Sequence, residues 1–317
     1  MTAVFFDSSM PAADRRKRLY SGDIFVFSPS PGTRELIALA RRMLEEAFAP
    51  HDPREVHRHL PAEKVAEILA VLKPAFIHHP ECKRLLPQIL EEHGVDLGKV
   101  YFDVPRMRSA YPSSFLSSGI AYAFHPHRDT WYSAPQCQQN WWIPIYDVMP
   151  DNAMGFYPEH FTEGVENSSE TYNYYEWNEK SRASAAQNVK SDTRIQPKPL
   201  EPIDTVKLTY LPPTGGIILF SAAQLHETVE NTTDLARYSI DFRTVHVDDA
   251  RQGQGAPNID SRCTGTTMRD YLQAADLSVM PDDVVALYDD ETASTGRLLH
   301  FGDRLVRAGN GSAPSDS

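Results

Sequence analysis

The stretch GGIILFSAAQLHETVENTTDLARYSIDFR, residues 215–243, decides the fold that this sequence predicts. Its apolar run Gly216–Phe220 is typical of a buried strand, a short turn then leads to His226, and a second strand is predicted over Arg237–Val247. Short strands without helices between them favour an antiparallel sandwich or barrel over a parallel sheet. The sequence therefore predicts a mainly β core.

The same texture begins near residue 100, where runs rich in Val, Ile, Tyr, Phe and Trp alternate with Pro, Gly, Asn and Asp. Further strands are predicted over Ile120–Phe124, Asn140–Tyr146 and Val206–Tyr210.

Residues 1–99 are mainly helical in character. A helix capped by Thr33 is predicted with a one-sided apolar stripe, and a second over Ala62–Leu72. A third, near Glu81–His93, is weaker because Pro87 interrupts it. The stripe of the first helix consists of Leu36, Ile37, Ala40, Met43, Leu44 and Phe48.

A polar insert over residues 162–205 separates the predicted strands. It carries Tyr172, Tyr174, Tyr175 and Trp177, whose apolar area argues against simple disorder. An insert of this length is commonly a lid. We expect more helix between Thr264 and Tyr288, with Met280-Pro281-Asp282 starting one segment, and a frayed tail after Asp303.

The segment IAYAFHPHRDTW, residues 120–131, carries the first candidate metal ligands. His127 and Asp129 form an H-x-D triplet, and residues i and i+2 of an extended chain point to the same side. Alone, the triplet is a weak signal and favours a hydrogen-bonded surface pair over a metal site. Together with His226 it offers two imidazoles and one carboxylate, the facial triad of non-haem Fe(II) oxygenases.

With these residues in place, the sequence resembles the Fe(II)/2-oxoglutarate dioxygenases, and within them the phytanoyl-CoA dioxygenase-like branch. The resemblance covers about residues 100–250 and includes the strand NWWIPIYDVMPDNAMGFYPEHF (140–161). Where the family has an Asn-Gly-small turn, this chain has Ala153 after Asn152. The departure bears on the turn and not on the metal site.

The resemblance implies His127, Asp129 and His226 as iron ligands and Arg237 as the anchor of 2-oxoglutarate. It implies further co-substrate contacts by Thr228 and Trp142, and Ser239 shares a strand face with Arg237. It also implies Fe(II), 2-oxoglutarate and O2 as the reagents and a double-stranded β-helix (jelly roll) fold. Halogenating relatives replace the carboxylate with a small residue, so Asp129 argues against halogenation.

Alternatives remain at several positions. His125 could be a ligand in place of a neighbour, although a cupin-type H-x-H site needs a glutamate that does not follow. Arg243 shares the face of Arg237 and is the second candidate anchor, or it pairs with Asp241. Trp141 and Trp142 point to opposite faces, so at least one is a core residue.

Composition limits the partners. The 317 residues carry 31 Lys+Arg against 43 Asp+Glu, a formal net charge of −12, which disfavours nucleic acid and anionic lipid. Cys82, Cys137 and Cys263 are unpaired in pattern, there is no signal-like segment and no membrane-length apolar run, so we expect a cytoplasmic protein. The oligomeric state is left open.

The resulting expectation is a single domain over residues 1–317. A helical support (1–99) carries a jelly-roll core (100–250) with the lid-like insert, and a helical extension with the frayed tail follows (251–317). The expected reaction is hydroxylation of an unactivated carbon of a small molecule, an amino-acid derivative or natural-product intermediate, with release of succinate and CO2. Desaturation or oxidative cyclisation, including cyclopropane formation, remain alternatives. So do a cupin-like metal enzyme without 2-oxoglutarate and a catalytically silent jelly roll.

Overall fold

A computed structural model describes residues 2–116, 125–181 and 196–289. Within these ranges the strands form two sheets. They are β1 (Val4–Phe6), β2 (Ile24–Phe27), β3 (Val100–Phe102), β4 (Arg106–Ala110), β5 (Gln139–Pro144), β6 (Met154–Phe156), β7 (Leu208–Tyr210), β8 (Ile217–Ser221), β9 (His226–Thr228), β10 (Arg237–His246) and β11 (Leu272–Gln273).

The larger sheet has the order β1-β2-β8-β5-β10-β3-β11, and β4 pairs with the beginning of β10. The smaller sheet has the order β7-β6-β9. All of these pairings are antiparallel except that of β1 with β2. The mainly antiparallel, two-sheet core agrees with the jelly-roll expectation at this level of detail.

The two faces of the larger sheet pack against different parts of the protein, because alternate strand residues point to opposite sides. Trp141 and Leu219 face outward and share one apolar core with the N-terminal helices. Trp142 and Phe220 face inward and pack against Phe156 of the smaller sheet. Trp141 is thus a core residue, and Trp142 is left on the inner face.

Four α-helices lie before β3: α1 (Ala12–Tyr20), α2 (Pro31–Phe48), α3 (Ala62–Ile77) and α4 (Pro80–Glu92). The cap of α2 is Ser30 rather than Thr33. The Ser30 hydroxyl accepts from the Thr33 backbone N–H at 3.3 Å, and the Thr33 hydroxyl accepts from the Ser30 N–H at 2.9 Å. With Pro31 at its first position, α2 begins two residues before the predicted cap.

Pro74 lies inside α3 and Pro87 lies inside α4, so the expected interruption at Pro87 is wrong. A proline removes one backbone hydrogen bond. In α4 that loss is offset because Leu86, Ile89 and Leu90 are fully buried in the core shared with α2.

Within the described residues after β3 there are three short α-helices: α5 (Tyr174–Glu176), α6 (Val247–Arg251) and α7 (Asp282–Val285). The helix expected between Thr264 and Tyr288 is therefore largely wrong, since β11 pairs with β3 there and only α7 is α-helical. Among the described residues, no helix is both long and apolar enough to cross a membrane. The predicted strand Ile120–Phe124, residues 182–195 of the insert and the tail lie outside the described residues.

Candidate metal and co-substrate site

A backbone bridge brings the two candidate histidines together. The N–H of His127 donates to the carbonyl of His226, and the reverse bond is also present, both at 2.9 Å. In such a pair the side chains are direct neighbours, and the two imidazole centroids lie 4.4 Å apart. β9 itself is held by β6, where Phe156 stands opposite His226.

Asp129 completes the group from the turn that follows His127. Its backbone N–H donates to the carbonyl of Ala222 at 2.9 Å, which ties the turn to the segment leading into β9. Its Oδ1 lies 3.5 Å from His127 Nε2 and 3.8 Å from His226 Nε2. The three ligand atoms lie within 4.8 Å of one another, and all three residues are buried. The structure therefore brings together the three residues that the sequence proposed.

The hydrogen bonds of the imidazoles fix which nitrogen is available. His127 Nδ1 donates to the carbonyl of His125 at 2.7 Å, and His226 Nδ1 donates to the carbonyl of Gln224 at 2.9 Å. A carbonyl only accepts, so Nδ1 carries the proton and Nε2 presents its lone pair toward Asp129. The exposed His125 is not part of the ligand group and contributes its backbone.

The charge states also suit a divalent ion. Burial is the main cause that lowers the pKa of His226, to about 4, so the imidazole is neutral at pH 7. Burial alone would raise the pKa of Asp129, but contact with His127 and the charge of Arg243 bring it well below its usual range. A neutral imidazole at His226 and a carboxylate at Asp129 both belong to the donor set of the Fe(II) facial triad.

The second oxygen of Asp129 faces amide donors at the beginning of β5 and on the residue before it. Oδ2 accepts from Gln138 Nε2 at 3.0 Å and from Asn140 Nδ2 at 2.9 Å. The sequence reasoning missed both residues. The available signal was the polar run Gln138-Gln139-Asn140 directly ahead of the apolar residues of β5.

Arg237 is buried in the same cavity with only neutral hydrogen-bond partners. Its Nη1 donates to Ser239 Oγ at 2.8 Å and its Nη2 to Thr228 Oγ1 at 3.2 Å. Its Cζ lies 5.6 Å from the ring centroid of Trp142. Within the described ranges, Arg237 Nε and Trp142 Nε1 have no hydrogen-bond partner. Burial is the main cause that lowers the pKa of Arg237, to about 10, so it remains charged at pH 7.

Arg243 is engaged elsewhere. Its Nη1 donates to Asp103 at 3.1 Å, and its guanidinium lies 3.6 Å from both Asp241 and Asp129. The predicted pairing of Arg243 with Asp241 is therefore present within a larger network. Of the two candidate anchors, only Arg237 lacks an ion-pair partner among the described residues.

One cavity, of about 260 Å³, joins the triad and Arg237. Tyr132, Tyr172, Tyr174 and Trp177 line it as well, whereas Tyr175 does not. The edge of the Tyr132 ring packs against His127, with centroids 5.4 Å apart. Aromatic residues of the insert thus reach the cavity that holds the candidate ligands.

Cys137 is buried, and burial raises its pKa to about 12, so it is not a nucleophile.

Arg128, between the two ligands, is a structural residue that the sequence reasoning passed over. It is 2% exposed. Its Nε donates to Asp260 at 3.0 Å, and its Nη atoms donate to the carbonyls of Ala223 and His160, both at 2.5 Å. Arg128 therefore ties the ligand turn to the segment before β9 and to the residues just before the insert.

Replacing Arg128 with Met should lower the free energy of unfolding by about 3 kcal/mol, because Asp260 then loses its buried cation. Urea denaturation of the metal-free protein measures the change. Arg58→Met, at an exposed arginine paired with Glu55, is the control and should cost much less. Equal losses in the two variants would contradict the structural role of Arg128.

No family model matches the chain, and no curated protein matches it. Solved structures are similar to it at low identity. EvdO2 from Micromonospora carbonacea var. aurantiaca has a TM-score of 0.43 and 11% identity, covering 75% of this chain and 92% of its own. SnoN from nogalamycin biosynthesis is described as a non-haem, α-ketoglutarate-dependent epimerase. Its TM-score is 0.34 at 14% identity, and the match covers 74% of this chain and 84% of SnoN. The non-haem monooxygenase ThoJ has a TM-score of 0.35 at 15% identity, and the match covers 68% of this chain and 69% of ThoJ.

EvdO2 has also been solved in complex with 2-oxoglutarate, and SnoN with Fe3+ and α-ketoglutarate.

Proposed function

We propose that this chain is an Fe(II)/2-oxoglutarate-dependent oxygenase that oxidises an unactivated C–H bond of a small molecule, most simply by hydroxylation. The observation that carries the proposal is the buried meeting of His127, Asp129 and His226 in one cavity with a guanidinium that has no acidic partner among the described residues. Bound Fe(II), with 2-oxoglutarate and O2, supplies the oxidant for the C–H bond, and succinate and CO2 are released.

The residues of the chain hold and orient the reagents. His127 and His226 present Nε2 and Asp129 presents Oδ1 to the ion, each fixed by the hydrogen bonds described above. Arg237 would bind the distal carboxylate of 2-oxoglutarate in a two-point contact, for which the planar guanidinium is suited. Thr228 and Ser239 hold that guanidinium in place.

Trp142 forms the apolar side of the co-substrate site. It stacks near Arg237, and together with Ile218 and Phe220 it belongs to the cluster between the sheets. These side chains keep water away from the buried guanidinium, which strengthens its attraction for a carboxylate.

The aromatic residues of the insert favour a substrate that packs against rings. Tyr172 lies at right angles to Tyr132, with centroids 5.3 Å apart, and Trp177 lies beside Tyr172. We therefore propose that the insert covers the substrate. The proposed architecture is a single domain, in which the N-terminal helices support a double-stranded β-helix core. An amino-acid derivative or another natural-product intermediate fits the proposal. A cytoplasmic location would agree with three free cysteines.

The test is a two-stage measurement on the purified protein. Under anaerobic conditions, Fe(II) plus 2-oxoglutarate should produce a weak visible charge-transfer band. On addition of O2, succinate should form slowly, and faster with a true substrate from a metabolite panel. A protein that retains no metal and shows no band would contradict the proposal and favour a silent jelly roll. Metal-dependent turnover without succinate would favour a cupin-like enzyme.

A further inference from the structure

The two oxygens of the Asp129 carboxylate lie in different surroundings. Oδ1 faces the Nε2 atoms of His127 and His226. Oδ2 faces away from them and accepts the two amide N–H groups of Gln138 and Asn140. An oxygen that already accepts two hydrogen bonds is poorly placed to bind a metal as well. The carboxylate is therefore arranged to offer one oxygen and withhold the other.

A chain of hydrogen bonds fixes which end of each amide faces the carboxylate. The Tyr271 hydroxyl donates to Gln138 Oε1 at 2.5 Å, and Gln138 Nε2 donates to Asn140 Oδ1 at 2.8 Å. Both amide oxygens are thus used as acceptors, and both amide nitrogens are directed at Oδ2. Rotating the Asn140 amide by 180° would place its oxygen against the carboxylate.

The backbone explains why these side chains reach Asp129. Gln138, Asn140 and Trp142 alternate along β5 and its leading residue, so they share the inner face of the larger sheet. Arg243 stands opposite Asn140 on β10, with its Nε 3.6 Å from Oδ2. That guanidinium is already hydrogen-bonded to Asp103, which leaves the amides as the closest donors to Oδ2.

We infer that Gln138 and Asn140 are positioning residues, which hold Asp129 as a one-oxygen metal ligand in a fixed orientation. The inference rests on the proposed function, because it concerns the same metal site. A purely structural role would make the two amides matter for folding and leave metal affinity unchanged. A positioning role makes them matter for the affinity and electronic environment of the ion, in the way that partners of ligating side chains generally do.

The experiment compares Asn140→Leu and Gln138→Met, which keep side-chain size and remove the donors, with the wild type. Binding of Mn(II) is followed by the loss of the free-ion electron paramagnetic resonance signal, and folding by the Tm of the metal-free protein. Each variant should bind Mn(II) about 10-fold to 100-fold more weakly. The charge-transfer band of the anaerobic Fe(II)–2-oxoglutarate complex should shift in both. Asn140→Ser, which leaves space for a bridging water, should fall between wild type and Asn140→Leu, and it serves if the Leu variant does not fold.

The matched control is Thr244→Val. Thr244 is a buried residue of β10. Its hydroxyl accepts from Trp141 Nε1 at 2.9 Å on the outward face of the larger sheet, away from Asp129. This variant should lower the Tm and leave Mn(II) affinity and the band unchanged. Folded Asn140 and Gln138 variants that bind Mn(II) like the wild type would overturn the inference alone. So would an equal loss of affinity in Thr244→Val. A wild-type protein that binds no Mn(II) would overturn the proposed function, and the inference with it.

Discussion

His226→Ala should abolish metal-dependent activity and weaken Mn(II) binding by more than about 100-fold, since altering a mere partner of a ligand already costs about 10-fold to 100-fold. The imidazole supplies one of three donors, and alanine offers no replacement. Calorimetric titration with Mn(II) measures the affinity, and succinate release measures the activity.

His246→Ala is the matched control for this variant. His246 is also a buried strand residue, paired with Asp249 at 3.6 Å, and it is not part of the ligand group. Its loss should affect stability and leave Mn(II) binding intact. If His226→Ala bound Mn(II) as tightly as the wild type, a ligand role for His226 would be excluded.

Arg237→Leu should weaken binding of 2-oxoglutarate by about 100-fold while metal binding persists. A two-point guanidinium–carboxylate contact has two charge-assisted hydrogen bonds of at least about 1.5 kcal/mol each, or about 3 kcal/mol together. The buried Arg237, held by Thr228 and Ser239 and lacking an acidic partner among the described residues, is placed to realise that energy. Arg237→Lys should recover part of the affinity, because it keeps the charge without the planar fork.

A co-substrate analogue provides the control. 2-Oxovalerate has the keto acid end of 2-oxoglutarate and a methyl group in place of the distal carboxylate. The wild type should bind it far more weakly than 2-oxoglutarate, and Arg237→Leu should lose most of this discrimination. If Arg237→Leu kept the full preference for 2-oxoglutarate, Arg237 would not be the anchor of the distal carboxylate, and Arg243 would be favoured instead.

The parts of the site that sequence predicts are those that local pattern encodes. His127 and Asp129 are two residues apart on one extended segment. Arg237 begins a strand whose alternation also places Ser239 on its face. Apolar and aromatic residues predict the strands β5, β8 and β10. In the structure these strands begin and end within one or two residues of the predicted positions.

The parts that sequence missed depend on contacts between distant segments. Gln138 and Asn140 act on Asp129 only because the turn after His127 is tied to Ala222, which brings the carboxylate over β5. Arg128 contacts Asp260, more than a hundred residues away. β1 is only three residues long and is defined by its parallel partner β2. β11, likewise, exists through pairing with β3 in a region whose local pattern favoured helix.

The metal site is tested most directly by a crystal structure of the protein grown anaerobically with Mn(II), with anomalous data to locate the ion. We expect one strong anomalous peak about 2 Å from His127 Nε2, Asp129 Oδ1 and His226 Nε2, a distance usual for metal–nitrogen and metal–oxygen bonds. Asp129 Oδ2 should remain hydrogen-bonded to Gln138 and Asn140. A peak at any other group of residues, or His226 lying beyond coordinating distance of the ion, would contradict the proposed metal site.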